Sequence, residues 1–172
     1  MVSVYDVRAA DLIKEISTDL KDKVQQPKFV KFVKTGRHRE RPPQQVDWFY
    51  TRMASMLRRF YIDGPVGTQQ LRTYYGGKRN RGSEPSHFYT GSGKIIRTCL
   101  QELEKLGLIK KLKKGRVISA KGEKYLSEKS KHVYKMKNQG GIGTEGSDLQ
   151  KNKKGAEHGT GAGIGASERA EA

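Results

Sequence analysis

The sequence predicts a mainly α-helical body over residues 1 to 137, a bundle built around one central amphipathic helix, followed by a Gly-rich C-terminal extension over residues 138 to 172. Three observations carry this. Apolar side chains recur three and four residues apart in several segments of the body, which is the helical period. One segment, about Gln45 to Tyr61, carries two such stripes side by side. From Asn138 the composition changes: the last 35 residues hold nine Gly, no aromatic residue, and only Ile142, Leu149 and Ile164 as large apolar side chains. Such a stretch cannot bury enough surface to offset the entropy of ordering it, so it is predicted to be disordered.

The elements follow in order. Asp6 is placed to cap a helix whose stripe is Val7, Ala10, Ile13, Ile16 and Leu20, ending before Gln25. Pro27 suits the start of a short helix with Phe29, Phe32 and Val33, stopped by Gly36. The basic loop 37-RHRER-41 comes next, and the sequence does not decide its role. After 42-PP-43 the central helix carries Val46, Phe49, Met53, Met56 and Phe60 on one stripe and Tyr50, Ala54, Leu57 and Tyr61 on the other. A helix apolar around so much of its circumference belongs in the middle of the fold. Its remaining sector, Trp48, Arg52, Ser55 and Arg59 with Arg58 adjacent, is predicted to be an exposed aromatic and guanidinium ridge.

Thr68 to about Tyr75 reads as a short helix, and residues 76 to 93 as a long Gly-rich basic loop. Lys94 to Leu106 is helical, with Ile96, Cys99, Leu100, Leu103 and Leu106 inward and Gly107 as its stop. Residues 108 to 119 form two short strands turning near Lys114 and Gly115, and a last helix runs from about Ala120 to Lys131. Helix, turn, helix with a basic outer face, Lys/Arg-rich hairpin, closing helix: this order is that of a winged-helix-like element, whose second helix and wing usually meet nucleic acid.

The charge supports such a partner. Lys and Arg number 35 against 18 Asp and Glu, a net +17. The last 35 residues hold four basic and five acidic side chains, so the body holds 31 against 13, or +18. A body this basic points to a polyanion, nucleic acid before a membrane surface. No run approaches the 18 apolar residues of a spanning helix, and Met1 is not followed by a signal-peptide core, so a soluble intracellular protein is expected. One cysteine permits no internal disulfide. Four scattered histidines show no metal-ligand spacing, and no cofactor is expected.

The stretch 88-FYTGSGKIIRT-98 imitates the end of a nucleotide-binding P-loop, and the imitation fails on spacing. Aligned on Gly93 and Lys94, the first glycine falls on Phe88 and the magnesium-binding hydroxyl on Ile95. What remains is a Gly/Ser loop entering a helix, with Ser92 as a cap and a terminus suited to phosphate. Cys99 is expected to be a buried packing residue rather than a nucleophile. His87 lacks a carboxylate or nucleophile at a recognised spacing, and is expected to bond locally or touch RNA. The net charge shifts the basic side chains toward contact. The candidates are Trp48, Arg52, Arg58, Arg59, Lys78, Arg79, Arg81, His87, Lys94, Arg97, Lys113, Lys114 and Arg116.

The runs 48-WFYTRMASMLRRFYIDGPVG-67, 74-YYGGKRNRG-82, 85-PSHF-88, 97-RTCLQELEKLGLIKK-111 and 115-GRVISAKGEKYL-126 stand in the order of a known family. Together they resemble the small-subunit ribosomal protein nineteen-e family of archaea and eukaryotes, from about Val4 to Lys131. The resemblance implies a helical protein with a winged-helix-like element, seated in the head of the small ribosomal subunit beside other head proteins. It implies binding to small-subunit rRNA and its precursor, and a part in rRNA maturation. No enzymatic activity, small-molecule substrate or membrane is implied. The location would be the cytoplasmic ribosome, with a nucleolar stage of assembly in a eukaryote. The family's basic surface falls on Trp48, Arg52, Arg58, Lys78, Arg79 and Arg97, while Thr98 replaces a second basic residue common after Arg97. Without the resemblance, the element order also allows a winged-helix DNA-binding regulator.

Overall fold

A computed structural model describes residues 2 to 140, and the predicted disorder of the extension lies outside them except at its first positions. The chain divides into a unit spanning Met1–Lys135 and a second beginning at Met136. Helix α1 (Ala9–Lys23) leads through a 3-10 turn (Lys28–Lys31) and a long loop to α2 (Trp48–Asp63) and α3 (Thr68–Tyr74). Strands β1 (Gly77–Arg81) and β2 (Glu84–Tyr89) precede α4 (Gly93–Lys105), β3 (Ile109–Lys111), β4 (Arg116–Ile118) and α5 (Ala120–Gly140).

The period read from the sequence builds the core. Phe49, Tyr50, Met53, Ala54, Met56, Leu57 and Phe60 of α2 are buried, so both stripes face protein. Against α2 pack α1, with Leu12, Ile16 and Leu20 buried, and α4, with Ile95, Ile96, Cys99, Leu100 and Leu103 buried; Leu126 and Val133 of α5 belong to the same core. Each large side chain so buried contributes roughly 1.5–3 kcal/mol. Tyr50 uses its hydroxyl to donate 3.0 Å to the Val24 carbonyl, fixing the end of α1 against α2. Lys129 of α5 reaches Asp19 Oδ1 at 2.7 Å and Glu15 Oε1 at 3.2 Å, and the Tyr125 hydroxyl donates to Asp19 Oδ2 at 3.2 Å. These bonds lock α5 to α1. Among the described residues no helix is long and apolar enough to cross a membrane.

Several expectations change. Asp6 does not cap α1: its carboxylate accepts the Ser3 N–H at 2.7 Å in an upstream turn, and the helix begins three residues later. α2 begins at Trp48, leaving Val46 outside it and 78% exposed. Asp47 precedes it without a side-chain cap bond, because its carboxylate is held by Lys21 at 3.0 Å. After Pro27 the chain makes only a 3-10 turn, which buries Val30 and turns Phe32 outward. Ser92 makes no side-chain cap; its N–H donates to the Thr35 carbonyl at 2.9 Å, tying the start of α4 to the preceding loop. α5 continues past Lys131 to Gly140, as Leu126, Ser130 and Val133 extend its buried face.

The main correction concerns residues 76 to 93, predicted as a loop. They form an antiparallel hairpin pairing Lys78 with Phe88, Arg79 with His87 and Arg81 with Glu84, with an irregularity between Arg79 and Arg81. The second hairpin is where the sequence puts it, pairing Ile109 with Ile118. Arg116 also bridges to Val66, its N–H donating to the Val66 carbonyl at 3.1 Å and its carbonyl accepting the Val66 N–H at 2.9 Å. This joins the second hairpin to the turn after α2.

Candidate nucleic-acid interface

The loop before α2, the first turns of α2 and strand β1 line an open cavity of about 960 Å³. Arg39, Arg41, Arg52 and Lys78 supply cations around it, Trp48 and Pro42 apolar wall, and Glu40 the acid among its lining residues. Three of the sequence candidates, Trp48, Arg52 and Lys78, thus meet in one place. Arg39 and Arg41 come from the basic loop whose role the sequence leaves open. The signal for Arg39 is the acid-free run from Lys23 to Arg39, which carries Lys23, Lys28, Lys31, Lys34, Arg37 and Arg39, and Arg41 follows just beyond it after Glu40.

The predicted exposed ridge on α2 is mostly not exposed. Trp48 retains 9% of its surface and stands edge-on to Phe49 at 6.2 Å, so it anchors the core and shows the cavity only a margin. Arg52 lays its guanidinium 4.1 Å over the Tyr75 ring, and burial draws its pKa down. The Tyr75 hydroxyl meets Ser55 at 2.9 Å, and burial raises the pKa of that phenol. Arg59 lies 4.3 Å over Tyr74 and forms an ion pair with Asp63. Arg58 buries its Nε, which has no hydrogen-bond partner among the described residues.

The remaining candidates divide by what they touch. Lys78, Arg81 and His87 are exposed on the first hairpin and Arg79 is half-buried there, with Arg81 ion-paired to Glu84. Lys94 is exposed and lies 4.5 Å over the Phe29 ring, while Arg97 is exposed on α4 with its Nη1 close beside Gly93. Thr98 donates its hydroxyl to the Lys94 carbonyl at 3.0 Å. Lys113 and Lys114 are exposed at the turn of the second hairpin. Arg116 is spent internally: it pairs with Glu104 of α4 and donates to the Thr68 hydroxyl at 3.3 Å. It braces α4, β4 and the start of α3.

His38 lines the same cavity. Its ring is flanked by Gly36 and Gly77, where a Cβ would stand 2.8 Å and 3.1 Å from ring atoms. Glycine at both positions lets the loop close on the hairpin. Burial lowers the His38 pKa, with help from Arg39 and Arg52, and its Nδ1 is buried without a partner among the described residues. Cys99 behaves as predicted: it is fully buried, and desolvation pushes its thiol up to about 12. No group of His, Cys, Asp and Glu able to hold a metal ion occurs among the described residues.

A helical body presenting two basic hairpins and a cation-lined groove is the architecture of a strongly basic small helical protein. The chain belongs to the ribosomal protein S19e family, whose model matches residues 3–136. It is 46% identical over 137 residues to the small ribosomal subunit protein eS19 of Thermoplasma volcanium, covering 78% of this chain and 91% of that relative. The eS19 protein of Aeropyrum pernix is 42% identical over 77% of this chain and 90% of its own length. That of Oryza sativa subsp. japonica is 40% identical over 73% and 88%. The motif order read from the sequence is therefore that of the family, a structural and not an enzymatic one.

Proposed function

We propose that this chain is a structural constituent of the small ribosomal subunit, in its head, and that it binds rRNA through the groove and the hairpins beside it. The observation that carries the reading is the groove: four cations and one acid around an open cavity of about 960 Å³. The named relatives are small-subunit proteins, which agrees with it. In this reading Arg39, Arg41 and Lys78 neutralise phosphates, and Arg52, held flat by Tyr75, presents a fixed guanidinium edge. Arg79, Arg81 and His87 extend the contact along the first hairpin. Lys94 and Arg97 face RNA from α4, and Lys113 and Lys114 do so from the second hairpin. Trp48 supports these contacts from the wall of the groove, and Arg58 and Arg59 add their charge from farther along α2. The chain works at the cytoplasmic ribosome, beside other head proteins, and joins the rRNA precursor during maturation.

The second hairpin and α4 together make the winged-helix-like part of this reading, with β3 and β4 as the wing. The first hairpin is inserted where a helix-turn-helix would have a short turn.

The test replaces the exposed cations Arg39, Arg41 and Lys78 by Ala in the full chain. Incorporation into small subunits and maturation of small-subunit rRNA are expected to fall, with the melting temperature unchanged. Normal incorporation, or preferential binding to duplex DNA over structured rRNA in competition, would overturn the proposal.

A further inference from the structure

Phe32 is 84% exposed, the most solvent-exposed of the large apolar side chains among the described residues. It follows the 3-10 turn, whose geometry turns Val30 in and Phe32 out. Around it in the chain stand Lys28, Lys31 and Lys34, all exposed, and no acidic residue occurs from Lys23 to Arg39. Two residues on, Lys34 lines a second cavity, of about 530 Å³, with Arg37, Arg72 and Tyr89, and no acid is among its lining residues. Arg37 is held 4.8 Å over the Tyr89 ring, and Arg72 bonds the Gly91 carbonyl at 3.2 Å, so two of the three cations are fixed in place.

A protruding aromatic ring ringed by lysines does not suit an apolar protein surface, which would bury those charges at a cost. It suits a partner that offers flat π faces joined by anions. Unpaired RNA is such a partner, because each base can stack on a ring while its phosphates meet cations. We propose that Phe32 is a stacking platform for an unpaired RNA base, with Lys31 and Lys34 and the adjoining cation-lined cavity holding the flanking phosphates. This second surface rests on the rRNA-binding reading and is distinct from the groove at α2.

The experiment uses the full chain and a fluorescent single-stranded oligoribonucleotide containing 2-aminopurine, with a fully paired RNA duplex as reference. Phe32→Ala and Phe32→Leu are both expected to weaken single-strand binding about tenfold, within the range of one base stacked on an aromatic ring. Both should lose the quenching of 2-aminopurine, while Phe32→Trp keeps affinity and quenching. Duplex binding and the thermal melt should not move, since the ring is mostly in solvent. Unchanged single-strand binding in Phe32→Ala would overturn the platform and leave the rRNA reading standing. Full affinity in Phe32→Leu would also overturn it, because an apolar contact without stacking would then suffice. If the wild-type chain binds neither RNA, the rRNA reading and the platform fall together.

Discussion

At the scale of single residues, burial decides which of the basic side chains are free to act. Arg116 and Lys113 look alike in the sequence, yet Arg116 braces α4 through Glu104 while Lys113 faces water. Spacing along one strand cannot reveal a carboxylate twelve residues upstream on another element. Trp48 and Arg52 share a similar history: the helical period puts them on the sector left over by the core, and the aromatic neighbours Phe49 and Tyr75 then cover them. Cys99 is legible because its spacing with Ile96, Leu100 and Leu103 needs no partner element to place it inward. His38 gives a pH dependence. Its folded pKa lies below the unfolded value near 6.5, so below that pH the unfolded chain takes up a proton that the folded chain refuses. Stability is therefore expected to fall as pH drops from about 6.5 through the folded pKa. In chemical denaturation at a series of pH values, His38→Gln should flatten that part of the curve.

At the scale of elements, the helices are legible and the first hairpin is not. Helices α2 and α4 declare themselves through stripes that only a 3.6-residue period makes contiguous. Strand β2 has no such signal: its first five residues are all exposed, so no alternation of apolar and polar side chains exists to be read. Of the glycines that make the segment look like a loop, Gly82 turns the hairpin at φ 74°, while Gly76, Gly77, Gly91 and Gly93 serve close approach. α5 shows the same use at Gly122, whose Cβ position lies 2.3 Å from the Leu108 carbonyl oxygen. A side chain there would push the helix off the end of β3. Gly122→Ala is expected to cost about 1–3 kcal/mol, read as a lower denaturation midpoint with an unchanged m-value.

At the scale of the whole molecule, composition says more about the partner than any motif does. The +18 of the body is readable at once, whereas its gathering into a groove requires the fold to bring residues 39, 41, 52 and 78 together. Family order is legible for a related reason: several separate runs agree, and agreement among distant runs is a property of the whole chain. The proposed phosphate pairing makes binding sensitive to salt. Replacing Arg39, Arg41 and Lys78 together is expected to reduce the slope of log affinity against log salt by about 2, taking about 0.7 for each phosphate left unneutralised on single-stranded RNA. Titration of rRNA binding at four or five salt concentrations measures it. An unchanged slope would mean that these cations do not meet phosphate.

The first hairpin also sets how the molecule can yield. A two-stranded ribbon standing largely in solvent is marginal in water, and its tip, from Asn80 to Phe88, is exposed throughout. Its inner end is better held, where Gly77 closes on His38. The ribbon is thus hinged at the body and compliant at the tip, and local opening there is cheaper than unfolding the core. In the proposed rRNA contact such a limb would adjust its reach by bending while the helical core stays still. Fit is then obtained by the most yielding part of the molecule, and its cations need no exact prior placement.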